Sequence, residues 1–544
     1  MFQKLKKNIP LVCIIFFFIF INIIFIHPIS GNDTWFHLRI GQDIWETKTI
    51  SLKDFHSFTN SGTSYINQSW LAQIFLYLVY KSTGLIGLQA FHSVSIFLMF
   101  FFLFLLGRKK NFHLSLISII FTIPFIIGHN EIRPYLFTWL FIPLILFLID
   151  RKLLYIIPFI FLLWANIHAG FIIGIVFLFY YLLQKSIKSK KVYPLIIFFL
   201  SLIATFINPY GPKIYLYPLT LGDAPQMFHI AEWTPFSPKS VQFWIYSFYF
   251  LVLIITSFKR KIYSTNIIEL IFIVSLALFG YTAQRQPLII LLILFPIFTK
   301  NLSSIPFLNS KLLIYPISCL SLFIIYLALP QHYQPNLGLG IDSFNVPVYS
   351  TKFISDNNLN HIFNDYGFGG YLLWAYPSQP IFIDGRLEIY KGKTLSDYMR
   401  VVNGSSNWKQ ILNDYHIDCI FLQNAAPINN LLIMDPDWDL VYFDGASNIF
   451  LRHGTSPNVP RLKNITPVGA RVPNQYELNI QEFQYLLDKN PQFCDAYMFI
   501  AQNYTSLSKM TLAKTNLQKF LSLCPQLKNL PDVVSFRKWL NISD

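Results

Sequence analysis

Long apolar runs separated by short polar segments recur along the first three-fifths of the chain. Those at 10–29, 86–107, 112–128, 134–149, 153–166, 167–184, 193–209, 241–258, 265–282, 287–299 and 311–329 read as membrane-spanning helices, since about 20 apolar residues cross a ~30 Å hydrocarbon core. Several runs are shorter than about 17 residues, so tilted or kinked helices are expected there, with Pro143, Pro158 and Pro296 as the kink points. The pattern changes near residue 345. Short apolar runs such as 361–363, 380–383, 419–422, 440–443 and 449–451 alternate with amphipathic stretches around 348–358, 394–415 and 427–433, the pattern of an α/β domain. Residues 455–473, rich in Pro and Asn, read as a linker. Three helical stretches follow. In 494–525, Tyr497, Ile500, Ala501, Tyr504, Ala513, Leu517, Phe520 and Pro525 fall near the positions of one tetratricopeptide repeat, and a plain helical hairpin fits as well. The expected fold is an α-helical polytopic membrane protein of about eleven spans over 1–330. An extracytoplasmic α/β domain follows over 331–454, then the linker and a tetratricopeptide-like helical tail over 474–544.

Composition excludes an ordinary soluble enzyme: 54% of the 544 residues are hydrophobic and only 13% charged, against about a quarter charged in soluble domains. The net charge of +15 raises nucleic acid as a partner, but its position rules that out. The excess sits in short segments around Lys4-Lys6-Lys7, Arg108-Lys109-Lys110, Arg151-Lys152, Lys185-Lys188-Lys190-Lys191, Lys259-Arg260-Lys261 and Lys300-Lys311. These alternate loops have the positive-inside signature, which puts the N-terminus in the cytoplasm and everything after residue 330 outside. The first run is read as a retained helix rather than a cleaved signal peptide. Cys13 and Cys319 lie in spans, and Cys419, Cys494 and Cys524 lie outside. Cys494 and Cys524 could meet across a helical hairpin, and bridged and free states are both open. No Cys/His spacing suits a structural zinc.

Candidate chemistry gathers on the outward turns, because ionisable groups beside spans are costly and tend to mark function. Asp33 follows the first span directly, and His37 shares its face if a helix begins there; Arg39 follows. An Asp N-cap of an interfacial helix is the plain structural alternative. Later turns supply Glu131 and Arg133, His168, Glu232 with Trp233, and Arg285. Each outward turn brings an acid, a base or an amide, whereas inward loops bring almost only Lys and Arg. A carboxylate such as Asp33 suits general-base work on a hydroxyl, and guanidinium groups suit a phosphate. Arg133 and Arg285 as mere anchors against lipid head groups are the bland alternative.

Asn32-Asp33-Thr34-Trp35-Phe36-His37-Leu38-Arg39, with 66–73 behind it, resembles the first outer loop of a family of bacterial multi-span proteins allied to the dolichyl-phosphate-mannose protein mannosyltransferases, within the GT-C glycosyltransferase superfamily. The resemblance continues through Arg133-Pro134, 164–171, 208–211, Glu232-Trp233 and Arg285, and into the outer domain at 364–372 and 382–386. It covers about 20–454 and omits the tail. It implies a bacterial inner-membrane enzyme that transfers a sugar, with inversion, from a polyprenyl-phosphate donor to an extracytoplasmic glycan, lipid or protein acceptor. Asp33 is then the catalytic base, and His37, Arg39, Glu131, Arg133, His168, Glu232 and Arg285 bind substrate. Members often carry paired acids in the first loop; here Asn32 and Thr34 flank Asp33, so a second catalytic acid in that loop and a divalent metal are not expected. Tyr366, Trp374, Asp384 and Arg386 are candidates for acceptor binding, with a structural cap as the alternative. The rival reading is a non-enzymatic assembly or transport protein whose tail binds a partner.

Overall fold

The structure, a computed structural model, describes residues 26–109, 112–126, 131–221, 230–259, 267–303, 338–472 and 474–542. The last expected span, most of the first, Cys13 and Cys319 lie outside the described residues. Packing divides the chain into two units, one drawn from 26–29, 40–52 and 65–340, the other from 30–39, 53–64 and 341–542.

Helix α1 (Asp33–Thr47) begins in the second unit and ends in the first. The first unit otherwise consists of α2 (Trp70–Gly107), α3 (Phe112–Ile120), α4 (Tyr135–Asp150), α5 (Ile157–Ile167), α6 (Phe171–Ser189), α7 (Tyr193–Ala204), α8 (Val241–Lys259), α9 (Ile267–Gly280) and α10 (Gln286–Ser303), with short 3-10 turns between them. Three of these, α2, α6 and α10, are long and apolar enough to cross a membrane, and the others are shorter apolar helices. The chain is a membrane protein. Helix α10 is the most enclosed: Ile290 through Phe295 are at most 1% exposed, and it packs against α2, α3, α4, α8 and α9. A helix apolar on all sides must be surrounded. By contrast α7 presents Ile196, Phe199, Leu200 and Ile203 outward, an apolar surface suited to lipid.

Two details differ from the sequence reading. The outer loop expected over 30–85 is helical from Trp70: Ala72, Gln73, Leu76 and Tyr77 form a buried face, which pairs in the i, i+4 manner. Lys81-Ser82-Thr83 and Gly84 hide this helix from a hydropathy window. Gly84, at φ 64 and ψ −153, breaks the ladder inside the 38-residue element, a conformation that only glycine adopts cheaply. Pro158 starts α5 rather than kinking it, because a first-turn proline loses no helical hydrogen bond. Pro143 and Pro296 do lie inside their helices.

The second unit contains α11 (Val348–Asp356), β1 (Ile362–Asn364), α12 (Gly369–Ala375), α13 (Lys393–Val402), α14 (Trp408–Asp414), β2 (Cys419–Gln423), α15 (Asn429–Met434), β3 (Trp438–Phe443) and β4 (Ser447–Arg452). The sheet order is β1-β2-β4-β3. β1 pairs parallel with β2, while β4 is antiparallel to both β2 and β3. The C-terminal ends of β1, β2 and β3 therefore share one edge, marked by Asp365, Asn424 and Asp444. The expected strand at 380–383 does not join this sheet. Ile381, Phe382 and Ile383 are buried, Ile381 makes an isolated bridge to Ser57, and the segment is held by the Asn364 side chain, which accepts from Phe382 N–H (2.8 Å) and donates to Ile383 C=O (2.7 Å). The amphipathic stretch 394–415 divides into two helices at Asn403-Gly404.

Residues 455–473 include a small hairpin, β5 (Ile465–Thr466) and β6 (Gly469–Ala470). The Glu482 carboxylate accepts the N–H groups of Lys463, Asn464 and Ile465, so this stretch is tied to the tail. The tail is α16 (Tyr476–Lys489), α17 (Cys494–Ser506), α18 (Met510–Leu523) and α19 (Pro531–Trp539). Ala501, Ala513, Leu517, Phe520, Val533 and Leu540 form its core, and Cys494 and Cys524 are bridged.

Candidate functional site

In the second unit, Asp33 is the first residue of α1. Its carboxylate lies in the first turn, where the helix dipole favours negative charge. The helix start lies against two glycines, Gly385 and Gly370, and a third, Gly369, lies against the 383–384 backbone. A Cβ on Gly385 would lie 2.3 Å from Asp33 Oδ1, one on Gly370 2.7 Å from the Asn32 carbonyl oxygen, and one on Gly369 2.0 Å from the Ile383 carbonyl oxygen. Segments 32–39, 364–372 and 382–386 therefore converge, and the glycines are there because any side chain would separate them. His37 is buried one turn beyond Asp33, its ring 4.2 Å from that of Phe36. Arg39 ends this segment of the unit.

Asp365 follows β1 and is 4% exposed. Its N–H donates to Phe421 C=O (2.7 Å), and its Oδ1 accepts from Gly367 N–H (2.8 Å). Its Oδ2 has no hydrogen-bond partner among the described residues. Burial pushes this carboxyl up to about 6, against the opposing pull of the backbone N–H groups of Gly367 and Gln423.

Asp384 and Arg386, candidates for acceptor binding, are committed elsewhere. Arg386 Nε donates to both Asp384 oxygens (3.0 and 2.8 Å), and its Nη1 lies 2.8 Å from Asp54 Oδ1. All three residues are at most 2% exposed. Burial works against the charge on Asp54, but Arg386 and donors from Ser57 and His56 outweigh it and hold its carboxyl below the usual value. This triad fastens 53–64 to the α/β domain, and its polar atoms are taken up within the fold.

In the first unit the structure brings together Glu131, Arg133, Glu232, Arg285 and His168. Arg133 forms an ion pair with Glu131 through Nε and reaches Glu232 through Nη1 at 3.6 Å. The segment carrying Glu232 is laid against the turn before α10: Arg285 N–H donates to Glu232 C=O (3.1 Å) and Gln284 N–H to Thr234 C=O (3.0 Å). The Arg285 guanidinium rests over the Trp233 ring, 3.1 Å from its centroid, a cation–π contact. Among the described residues Arg285 has no carboxylate ion pair, whereas Arg133 is taken by two acids. His168 Nδ1 accepts from Gly170 N–H (3.1 Å) and lies 2.8 Å from the Thr138 hydroxyl, which itself accepts from Trp164 Nε1 (2.9 Å). That assigns the proton to Nε2. Burial first, and then the charge of Arg285, push the imidazole down to about 3, so it is a neutral N–H donor and not an acid.

The site residues read from the sequence thus fall into two groups, Asp33, His37 and Arg39 in one unit and Glu131, Arg133, His168, Glu232 and Arg285 in the other. Sequence reasoning missed Asp365 and Thr138. Asp365 gave a usable signal in its glycine-rich surroundings; Thr138, inside an apolar helix, gave none. No group of three or more His, Cys, Asp or Glu residues able to hold a metal occurs among the described residues. No protein-family model matches the chain, and no curated protein shows significant similarity to it.

Proposed function

We propose that the chain is a membrane glycosyltransferase of GT-C type, moving a sugar from a polyprenyl-phosphate donor to an extracytoplasmic acceptor at the bacterial inner membrane. The observation that carries this reading is the convergence of segments 32–39, 364–372 and 382–386, with the Asp33 carboxylate set against Gly385. Those are the segments on which the resemblance to the mannosyltransferase-like family rests. Asp33 is the general base: it takes the proton of an acceptor hydroxyl as that oxygen attacks the anomeric carbon, and the lipid phosphate leaves from the opposite face, giving inversion. Within the first unit, Arg285, stacked on Trp233 and without a carboxylate partner among the described residues, is a group suited to a phosphate. Neutral His168 adds an N–H donor, and preset donors of this kind stabilise charge developing on a leaving group. Arg133, held by Glu131 and Glu232, positions the Glu232 segment to which the Arg285 backbone is bonded.

The test is transfer from a labelled polyprenyl-phosphate sugar in membranes at matched expression. Asp33→Asn keeps the shape and removes the proton acceptor, so turnover falls by about 10²-fold or more. Arg285→Lys keeps charge but loses the planar fork, so donor use weakens more than stability. Full activity in Asp33→Asn refutes the catalytic assignment and favours the assembly or transport reading.

A further inference from the structure

The start of α1 and the loop after β1 leave buried polar atoms that the fold does not use. Asn32 Oδ1, Trp35 Nε1 and Asp365 Oδ2 are all shielded from solvent and lack a hydrogen-bond partner among the described residues. Trp35 and Asp365 are at most 4% exposed. Leaving such atoms unpaired costs about 1–3 kcal/mol each, so three in one neighbourhood call for an explanation. They are neighbours by two routes. Asn32, Trp35 and Phe36 lie three and four residues apart and share a face of α1; Trp35 packs edge to face on Tyr371 at 4.9 Å. Gly367 lies between the other two groups: a Cβ there would be 3.3 Å from Asp365 Oδ1 and 3.6 Å from Asn32 Nδ2. Gly370 and Gly385 meet the Phe36 ring in the same way, at 3.5 and 3.0 Å. The result is a cradle with glycine walls, an aromatic edge and unsatisfied polar atoms.

The chemistry of these atoms selects the ligand. Asn32 Oδ1 and Asp365 Oδ2 accept, whereas Trp35 Nε1 donates. A metal ion or ammonium group satisfies acceptors alone, and a phosphate satisfies donors alone. A neutral hydroxyl serves both, and sugar rings commonly pair hydroxyls with an apolar face that packs on an aromatic ring. We infer that Asp365, with Asn32 and Trp35, forms a binding subsite for hydroxyl groups of a neutral carbohydrate. The subsite deepens the transfer reading, on which its assignment to the acceptor sugar rests. Asp365 accepts a sugar O–H through Oδ2 while Oδ1 keeps its bond to Gly367.

The experiment uses full-length protein in a zwitterionic detergent that carries no sugar. Methyl α-glycosides of glucose, galactose, mannose and N-acetylglucosamine are applied singly, with binding read by saturation-transfer NMR. At least one binds the wild type. Asp365→Asn keeps an oxygen for Gly367 N–H and places an amide nitrogen where Oδ2 was, turning an acceptor into a donor, so affinity falls roughly tenfold. Gly367→Ala, whose backbone is not in the left-handed region, narrows the cradle and also weakens binding; it carries the test if Asp365→Asn fails to fold. No binding of any glycoside to the wild type, or wild-type affinity in a folded variant, overturns the subsite. Glycoside binding lost in Asp365→Asn without any sugar transfer by the wild type supports the subsite and refutes the transfer reading. Transfer with no glycoside binding does the reverse.

Discussion

Removing the guanidinium of Arg386 tests how the second unit is held together. Arg386→Met keeps most of the stem but leaves Asp54 and Asp384, both at most 2% exposed, as buried carboxylates without their cation. Breaking a buried pair from one side costs about 3–5 kcal/mol, roughly two to three and a half decades in the opening equilibrium at 1.4 kcal/mol per decade. Cys419 reports that opening. It lies on β2, is fully buried and is unbridged. Full-length protein in detergent is pulsed with a maleimide at pH 7, normalised to a denatured control, and Cys419 is read by peptide mass analysis. Labelling in Arg386→Met is expected to exceed wild type by at least about a hundredfold. The sign of the pH effect is a second check. With the cation present, the Asp54 carboxyl lies below its usual value, so its contribution to stability is present above the unfolded pKa and lost as pH falls through the folded one. Without the cation, burial works unopposed by Arg386 against the charge on Asp54, and stability returns as a proton neutralises it. The ratio of variant to wild-type labelling therefore shrinks between pH 7 and pH 5. Equal labelling at pH 7, or a ratio that grows in acid, refutes the argument that the triad is a buried clamp.

Burial pushes Glu388 up to about 7 against the pull of Arg386 and Lys391. The folded state thus binds protons more tightly than the unfolded chain, and stability declines as pH rises through 7; Cys419 labelling, corrected for intrinsic reactivity, climbs from pH 6 to 8 in wild type and climbs less in Glu388→Gln. Equal slopes count against that assignment. The Cys494–Cys524 bridge, 30 residues apart, adds about 3–4 kcal/mol to the tail by the loop-entropy estimate, so Cys494→Ser makes the tail a faster protease substrate; two free thiols in non-reducing mass analysis remove the claim. A reporter active only in the cytoplasm and fused after Asp544 gives no signal if the basic loops face inward; activity there overturns the external placement of Asp33.

The apolar runs alone dictated that this is a membrane protein, since no soluble fold hides so many span-like segments, and nine of the expected runs coincide with described helices. The α/β character of 345–454 was also legible, because alternating short apolar runs and amphipathic stretches carry their period locally. Local pattern could not reveal that 381–383 is buried without joining the sheet, because the side chain of Asn364 takes the place of a strand partner. Nor could it reveal that Arg386, which by type suits a ligand, is neutralised by Asp54 from 332 residues away. Asp365 shows the same limit from the other side: nothing in Asn-Asp-Tyr-Gly says which carboxylate oxygen the loop satisfies and which it leaves open. Hydropathy and period are properties of neighbours in sequence, so the chain by itself determined the class and the helices. Pairing, burial and leftover hydrogen-bonding capacity are properties of neighbours in space, and those the tertiary structure alone decided.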